Sequence, residues 1–211
     1  MATKGTESAA EVFDALGARY EDAFRGLPGR LAALDWLTAR LPSGARVLDA
    51  GSGTGRPAAE ALVRAGCEVT GIDVSAEMVA LARARVPQAR FERADVRTYT
   101  PPGAGFDAVC SFFTLLVMDR PEMEAALERM VSWVVPGGYF VMATVPGDIR
   151  GLDLVWMGHR ITVSSLSTEE HLRRLAGLGL EVLHHHTALF RPEDGTAGPE
   201  EHLFVHARRP E

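Results

Sequence analysis

The sequence predicts one α/β domain built on a mostly parallel sheet. Strand-like apolar runs alternate with capped helices through most of the 211 residues. The apolar run that ends at Asp49 leads directly into a glycine-rich turn, residues 51–55, at the place where many α/β folds bind nucleotides. No repeat, low-complexity tract or linker divides the chain, so we expect residues 1–211 to form a single domain.

Residues 8–43 are predicted to be helical. Ser8 and Glu11 form a capping box that opens an amphipathic helix ending near Arg25. Pro28 then stands at a position that suits the start of a second helix. We expect these two helices to form a cap on the domain.

Strands and helices alternate in the central part of the chain. Apolar runs predict strands at residues 46–49, 68–72, 90–93, 106–113 and 139–144. Capping and breaking residues predict helices at 57–65, from Ser75 to before Pro87, and from Asp119 to about Val135. This order is typical of a parallel sheet with crossover helices.

After residue 144 the pattern changes. Residues 146–166 are predicted to be a long irregular loop, and loops of this length in a compact domain are often functional. We expect this loop on the substrate side. Ser167 begins a last helix, and two final strands, 181–190 and 202–208, are predicted to pair as an antiparallel hairpin.

The composition is that of an ordinary soluble domain. The net charge of −6 leaves no basic surface for nucleic acid or an anionic membrane. Two cysteines, Cys67 and Cys110, make neither a disulfide framework nor a metal site. No apolar run is long enough to span a bilayer, and the N-terminus lacks a signal-peptide segment. We expect a cytoplasmic monomer or homodimer that acts on a small molecule, without nucleic acid, membrane or metal.

The glycine-rich turn indicates a bound ligand. Gly51, Gly53 and Gly55 recur at every second position after Asp49, whereas dinucleotide folds need a third glycine where this chain has Arg56. Glycine lacks a Cβ, so the backbone can turn tightly and a ligand can lie against it. A tight strand-to-helix turn without a ligand is the alternative explanation.

Acidic residues end the next two strands. Asp73 lies 22 residues after Gly51, the distance at which a carboxylate binds both hydroxyls of a ribose. Asp95 can accept a hydrogen bond from the amine of adenine, with Val74 and Met78 against the base. Taken alone, Asp73 could equally serve a helix start and Asp95 a loop; their combination with the glycines favours a ligand.

Together these motifs resemble those of the class I, Rossmann-like, S-adenosylmethionine-dependent methyltransferases that act on small molecules. The resemblance runs from about residue 8 to 208, on Asp49–Gly55, Gly71–Ser75, Asp95, Phe106–Val109 and Pro136–Tyr139. It implies a three-layer fold with seven strands, six parallel and the last antiparallel. It also implies S-adenosyl-L-methionine as the cofactor.

The resemblance assigns roles to single residues. The residues that it places around the methionine portion are Asp49, Gly51, Ser52, Gly53, Gly55 and the backbone of Cys110 and Ser111. It places Asp73 on the ribose, and Val74, Met78, Asp95 and Val96 around adenine. Tyr20 stands where a tyrosine closes over the cofactor in many relatives; packing in the core is the alternative.

The acceptor side gives weaker signals. His159, in the predicted loop, is the candidate general base, although a packed or solvated histidine is an equally simple explanation. Phe112, Phe113, Trp156 and Met157 are the candidate lining of an apolar acceptor pocket, with core packing as the alternative.

Three consecutive histidines, residues 184–186, do not predict a metal site. Alternation along a strand puts His184 and His186 on one face and His185 on the other, so the three rings cannot converge. We expect a structural role for them.

The reaction itself stays open at this point. Residues 111–114 lack the motifs that amino- and cytosine-methylating enzymes of nucleic acid carry there, which favours a small, rather apolar metabolite as acceptor. The alternatives are a cofactor-binding enzyme of the same fold that performs a cyclisation or decarboxylation, a nicotinamide oxidoreductase, and a binding subunit without catalysis.

Overall fold

Helices cover both faces of a central sheet. The computed structural model describes residues 5–24, 27–191 and 198–211. The strands are β1 (Arg46–Ala50), β2 (Glu68–Asp73), β3 (Arg90–Arg93), β4 (Phe106–Phe112), β5 (Val134–Thr144), β6 (Ile149–Trp156), β7 (His159–Ser165), β8 (Glu181–Phe190) and β9 (Glu200–Arg208). The helices are α1 (Ala9–Leu16), α2 (Ala18–Ala23), α3 (Pro28–Thr38), α4 (Ala58–Arg64), α5 (Ala76–Arg85), α6 (Arg120–Ser132) and α7 (Thr168–Gly177).

The main sheet has seven strands in the order β3-β2-β1-β4-β5-β9-β8. Strands β1 to β5 pair in parallel, and β9 runs antiparallel to both of its neighbours, β5 and β8. The predicted α/β fold, a seven-stranded sheet with one antiparallel strand, is therefore confirmed. The carboxyl ends of β1, β2, β3 and β4 meet at one edge, where open parallel sheets bind ligands.

Three apolar clusters hold the layers together. On one face of the sheet, α6 and α7 bury residues such as Leu127 and Leu175. On the other face, α3, α4 and α5 bury residues such as Leu34, Leu62 and Val79. A third cluster joins α1 and α2 to the β6–β7 hairpin. Among the described residues, no helix combines the length and apolarity needed to cross a bilayer.

The N-terminal helix predicted to begin at Ser8 is interrupted. Its capping box is present, with the Ser8 side chain and the Glu11 carboxylate bonded to each other's backbone. Gly17 ends α1 at a φ of +50°, which glycine adopts readily, and redirects the chain into α2. The predicted end near Arg25 lies outside the described residues. Of the helices predicted to form a cap, α1 and α2 pack against the β6–β7 hairpin, whereas α3 packs against the main sheet.

Residues 146–166 are not an irregular loop, and that prediction is wrong. They form the antiparallel hairpin β6–β7, closed by Met157 and Gly158, which both have positive φ as tight hairpin turns require. The apolar run Leu154–Met157 hides the alternation by which a strand is recognised, because Val155 is exposed while Leu154 and Trp156 face inward.

Candidate functional site

A cavity of about 700 Å³ opens at the carboxyl edge of the sheet. Its loop-side wall comes from the ends of the strands, the loops that follow them and the start of α5, and includes Gly51, Gly53, Asp73, Val74, Met78, Asp95, Val96, Arg97 and Phe112–Thr114. Its outer wall comes from α1, the start of α6 and the hairpin, and includes Glu7, Glu11, Phe13, Val117–Asp119, Glu122, Gly151, Thr162 and Ser164. Segments distant in sequence therefore share one space.

The glycines of the loop have different surroundings. A Cβ on Gly51 would overlap the side chain of Thr114, whose hydroxyl donates to the carbonyl oxygen of Ala50 at 2.7 Å. A Cβ on Gly53 would meet nothing within 4 Å, although Gly53 lies in the cavity wall. Gly51 thus allows the loop to pack against β4, and Gly53 leaves its face open to a ligand. Gly55 packs against Phe91 rather than lining the cavity.

Asp73 ties the end of β2 to the glycine loop. Its Oδ2 accepts from the backbone N–H of Gly53 at 2.8 Å, and its Oδ1 accepts from that of Ser75 at 2.9 Å. Burial raises the pKa of this carboxyl, against the opposing effect of the two backbone donors. Each carboxylate oxygen can accept more than one hydrogen bond, so Asp73 can bind a ligand hydroxyl while it holds the loop.

Asp95 faces the cavity beside a residue that the sequence did not indicate. The Arg97 guanidinium donates through Nε to both Asp95 oxygens at 3.0 Å and through Nη2 to Oδ2 at 2.6 Å. Arg97 also lowers the pKa of the Asp95 carboxyl. The spacing of Asp95 and Arg97 in one turn, Asp-Val-Arg, is the feature of the sequence that could have indicated this pair.

Asp49 lies beneath the loop and not in the cavity wall. Its side chain is 1% exposed, and its Oδ2 has no hydrogen-bond partner among the described residues. Burial raises the pKa of this carboxyl to about 7, opposed by the positive charge of Arg30 on α3. Arg30, which the sequence did not indicate, is 7% exposed and donates to the carbonyl oxygen of Phe24 at 3.2 Å. Asp49 is thus a buried acid that a nearby cation would ionise.

Polar contacts hold α1 and α2 over the site. The Ser75 hydroxyl donates to Asp14 at 2.5 Å, and the Thr54 hydroxyl donates to Glu21 at 2.6 Å. Tyr20 lines the cavity and also packs edge-on against Phe13, with ring centroids 5.3 Å apart. Both interpretations of Tyr20 are therefore compatible with its position.

Several predicted site residues lie away from the cavity wall. The side chains of Cys110 and Ser111 are buried within β4, and Ser52 is buried in the loop. The predicted role of Cys110 and Ser111 belongs to their backbone and stays a prediction. Trp156 and Met157 pack in the third apolar cluster. These five side chains belong to the support of the site.

His159 is also outside the cavity lining. Its Nδ1 lies 3.2 Å from the Glu7 carboxylate, in a contact between the hairpin and the segment before α1. This placement favours a structural role over that of a general base.

The histidines of β8 also have packed surroundings. His184 and His186 share one face, with ring centroids 5.4 Å apart, as alternation predicts. His184 stacks on His206 of β9, and His206 stacks on Trp36 of α3 at 4.6 Å. Among the described residues, no group of three or more histidines, cysteines or acids is arranged to hold a metal ion.

Comparisons with known proteins concern both sequence and fold. A family model described as a methyltransferase domain matches residues 47–138. Trans-aconitate 2-methyltransferase of Variovorax paradoxus (strain S110) is 37% identical over 128 residues, 59% of this chain and 46% of that protein. This chain spans about half the length of the curated relatives that it matches.

Two solved structures match nearly the whole chain. The [4+2]-cyclase SpnF has a TM-score of 0.73 at 20% identity and covers 99% of both chains. The N-methyltransferase NodS from Bradyrhizobium japonicum WM9, solved in complex with S-adenosyl-l-homocysteine, has a TM-score of 0.71 at 18% identity, covering 97% of this chain and 100% of that one. At these identities the likeness shows a shared fold.

Proposed function

Since this chain belongs to the class I S-adenosylmethionine-dependent methyltransferases, we propose that it binds S-adenosyl-L-methionine in the cavity and methylates a small molecule. The observation that carries the proposal is the open face of Gly53 beside the carboxylate of Asp73, at the edge of the sheet where four parallel strands end. A ligand can approach the backbone closely there, and an acceptor for its hydroxyl groups is already in place.

The donor groups present fit this cofactor. Asp73 would hold the ribose, because its oxygens keep accepting capacity beyond the two backbone bonds. Val74, Met78 and Val96 offer apolar surface to adenine in the same wall. Asp49, with its unpartnered buried oxygen, is suited to balance a nearby ammonium group. Asp95 would serve adenine only with oxygen capacity left over from its bonds to Arg97.

When bound, the cofactor supplies a methyl group that its sulfonium has already activated for displacement. The remaining task of the chain is to align an acceptor behind that methyl group and to exclude water. Phe13, Tyr20, Phe112 and Phe113 provide aromatic surface for this purpose. No histidine lines the cavity among the described residues, so the proposal assigns no proton transfer to His159.

Isothermal titration with S-adenosylhomocysteine tests the proposal. We expect micromolar binding to the full chain, and Asp73→Ala should weaken it by about 1–3 kcal/mol, as for the loss of charge-assisted hydrogen bonds. Asp35→Asn, on the exposed surface of α3, is the control and should leave affinity unchanged. If wild-type protein bound neither S-adenosylmethionine nor S-adenosylhomocysteine, the proposal would be wrong.

A second candidate is a cyclisation without methyl transfer. This second candidate is supported by the fold that the chain shares with the [4+2]-cyclase SpnF over 99% of both chains. The lack of a histidine in the described cavity lining is compatible with either reaction. Once an acceptor is found, mass spectrometry separates the two, because a methylated product is heavier by about 14 Da and a cyclised isomer has unchanged mass.

A further inference from the structure

We propose that the acceptor carries a positively charged amine on an apolar body. This inference rests on the proposed function, because it concerns the second ligand of the same cavity. It is drawn from the charges of the two cavity walls and from the contacts of the cationic side chain between them.

Carboxylates dominate the charge of the cavity. Among the described lining residues, one cationic side chain, Arg97, faces six acidic residues, which are Glu7, Glu11, Asp73, Asp95, Asp119 and Glu122. S-adenosylmethionine carries a single net positive charge at neutral pH. Even when Glu7, which contacts His159, is left out of the count, the acids of the lining outnumber the charges of Arg97 and a bound cofactor. A cationic second ligand would lower that excess, and an anionic one would increase it.

Arg97 is already engaged by two acids. Besides the three contacts of its guanidinium with Asp95, it donates through Nη1 to Glu122 at 2.6 Å. Its side chain is 43% exposed and that of Glu122 is 41% exposed, so solvent screens both charges to a similar extent. A carboxylate on the acceptor would have to displace one of these partners, and the described lining offers it no other cation.

The acids of the outer wall are held in place by local structure. Glu11 and Glu122 each close a capping box, with Ser8 and Asp119 respectively. The backbone N–H and hydroxyl of Ser8 lower the pKa of Glu11, which keeps it ionised at neutral pH. Glu7 accepts from the backbone N–H of Arg160 at 3.1 Å. These charges therefore stay at the wall of the cavity whether or not a ligand is present.

Apolar groups stand beside these acids in the cavity lining. Phe13, Phe113, Val117 and Met118 provide this surface. Aromatic faces attract cations as well as apolar groups, which suits an amine attached to an apolar skeleton. The combination distinguishes the expected acceptor from a simple polyamine, which would lack the apolar part, and from an apolar acid.

A matched set of probes tests the inference in the full chain saturated with S-adenosylhomocysteine. The probes share one phenyl group and differ in charge: 2-phenylethylamine, 2-phenylethanol and 3-phenylpropanoate, with binding followed by calorimetry. We expect the amine to bind at least about tenfold more tightly than the carboxylate, and the difference to shrink as salt is raised. The double variant Glu11→Gln, Glu122→Gln keeps both capping positions but removes two charges, and should reduce the amine preference at least about threefold.

Glu128→Gln is the matched control, since Glu128 lies on the exposed face of α6 and does not line the cavity. It should leave the preference unchanged. Equal binding of the three probes, tighter binding of the carboxylate, or no binding of the amine while S-adenosylhomocysteine binds would each overturn the inference and leave the proposed function standing. A failure of S-adenosylhomocysteine itself to bind would overturn both.

Discussion

The two walls of the cavity are built in different ways. The loop-side wall uses the ends of β1, β2, β3 and β4, whose positions are fixed by the parallel sheet, and all of its strand-end residues lie within the segment that matches the methyltransferase family model. The outer wall takes its α1 and hairpin residues from outside that segment. Local motifs thus specify the loop-side wall, whereas contacts between distant segments specify much of the outer wall.

Alanine substitutions at Gly51 and Gly53 should separate the contribution of the glycine loop to stability from its contribution to ligand binding. Of all the substitutions considered, Gly51→Ala should have the largest effect. Gly51→Ala places a Cβ against Thr114 at a φ of +76°, and we expect it to lower the free energy of unfolding by about 2–4 kcal/mol. Gly53→Ala adds a Cβ to open space and should cost about 1 kcal/mol of stability.

For the affinity of the folded protein for its ligand we expect the opposite order, with the larger loss in Gly53→Ala. The new methyl group of Gly53→Ala would stand where the ligand is expected, so affinity for S-adenosylhomocysteine should fall roughly tenfold. Urea unfolding and calorimetry measure the two quantities. Equal effects of both substitutions on stability would contradict the distinct surroundings of these glycines.

Substitution of Arg120 tests whether the outer wall can be destabilised without an effect on the loop-side wall. This side chain, 7% exposed on α6, donates to the carbonyl oxygens of Ile149 at 3.2 Å and Ser165 at 2.8 Å and contacts Asp148, all at the base of the hairpin. Arg120→Ala should lower the free energy of unfolding by about 2–3 kcal/mol, because buried carbonyl oxygens lose their donor. Affinity for S-adenosylhomocysteine should change less than about threefold; a larger loss would mean that the two walls are coupled.

Asp49, which lies beneath the loop-side wall, should make the affinity for the cofactor depend on pH. If the ionised carboxylate balances the ammonium group of the cofactor, affinity should rise with pH and be about tenfold lower at pH 6 than at pH 8, because the pKa of Asp49 is about 7. Calorimetry in buffers of different ionisation enthalpy would detect the proton released. Asp49→Asn should bind more weakly and without this pH dependence.

The same group affects folding with the opposite sign. The folded pKa of about 7 lies above the unfolded value of 3.8, so the folded chain binds the proton more tightly. The stability that this provides is fully present below about pH 4 and is lost as pH rises through 7. If the wild-type protein and Asp49→Asn showed the same change in the free energy of unfolding between pH 4 and 7, this account would be wrong.

His159 should give the smallest effect. His159→Ala removes the contact with Glu7 and should cost about 0.5–1 kcal/mol of stability, with affinity for S-adenosylhomocysteine unchanged within about twofold. His159→Asn, which keeps a side-chain donor near the position of Nδ1, should restore most of the loss. A large loss of cofactor affinity would instead place this histidine in the site.

How much of the structure could be predicted from the sequence also differs between the two walls. The strands around the glycine loop, the capping boxes at Ser8 and Asp119, and the antiparallel last strand are all visible in local sequence patterns. Arg30 was missed because it meets Asp49 only in the folded chain, whereas Arg97 was missed although it follows Asp95 by two residues. The hairpin was missed because its apolar residues face both the core and solvent.

The base of the hairpin has a practical consequence for protein engineering. Gly147 donates its backbone N–H to the carbonyl oxygen of Leu166 at 3.0 Å, which brings the two ends of the β6–β7 segment together next to β5 and α7. A hairpin of another length or sequence could therefore be grafted between these two residues without altering the order of the main sheet. Such chimaeras would test whether the hairpin determines which small molecule binds in the cavity.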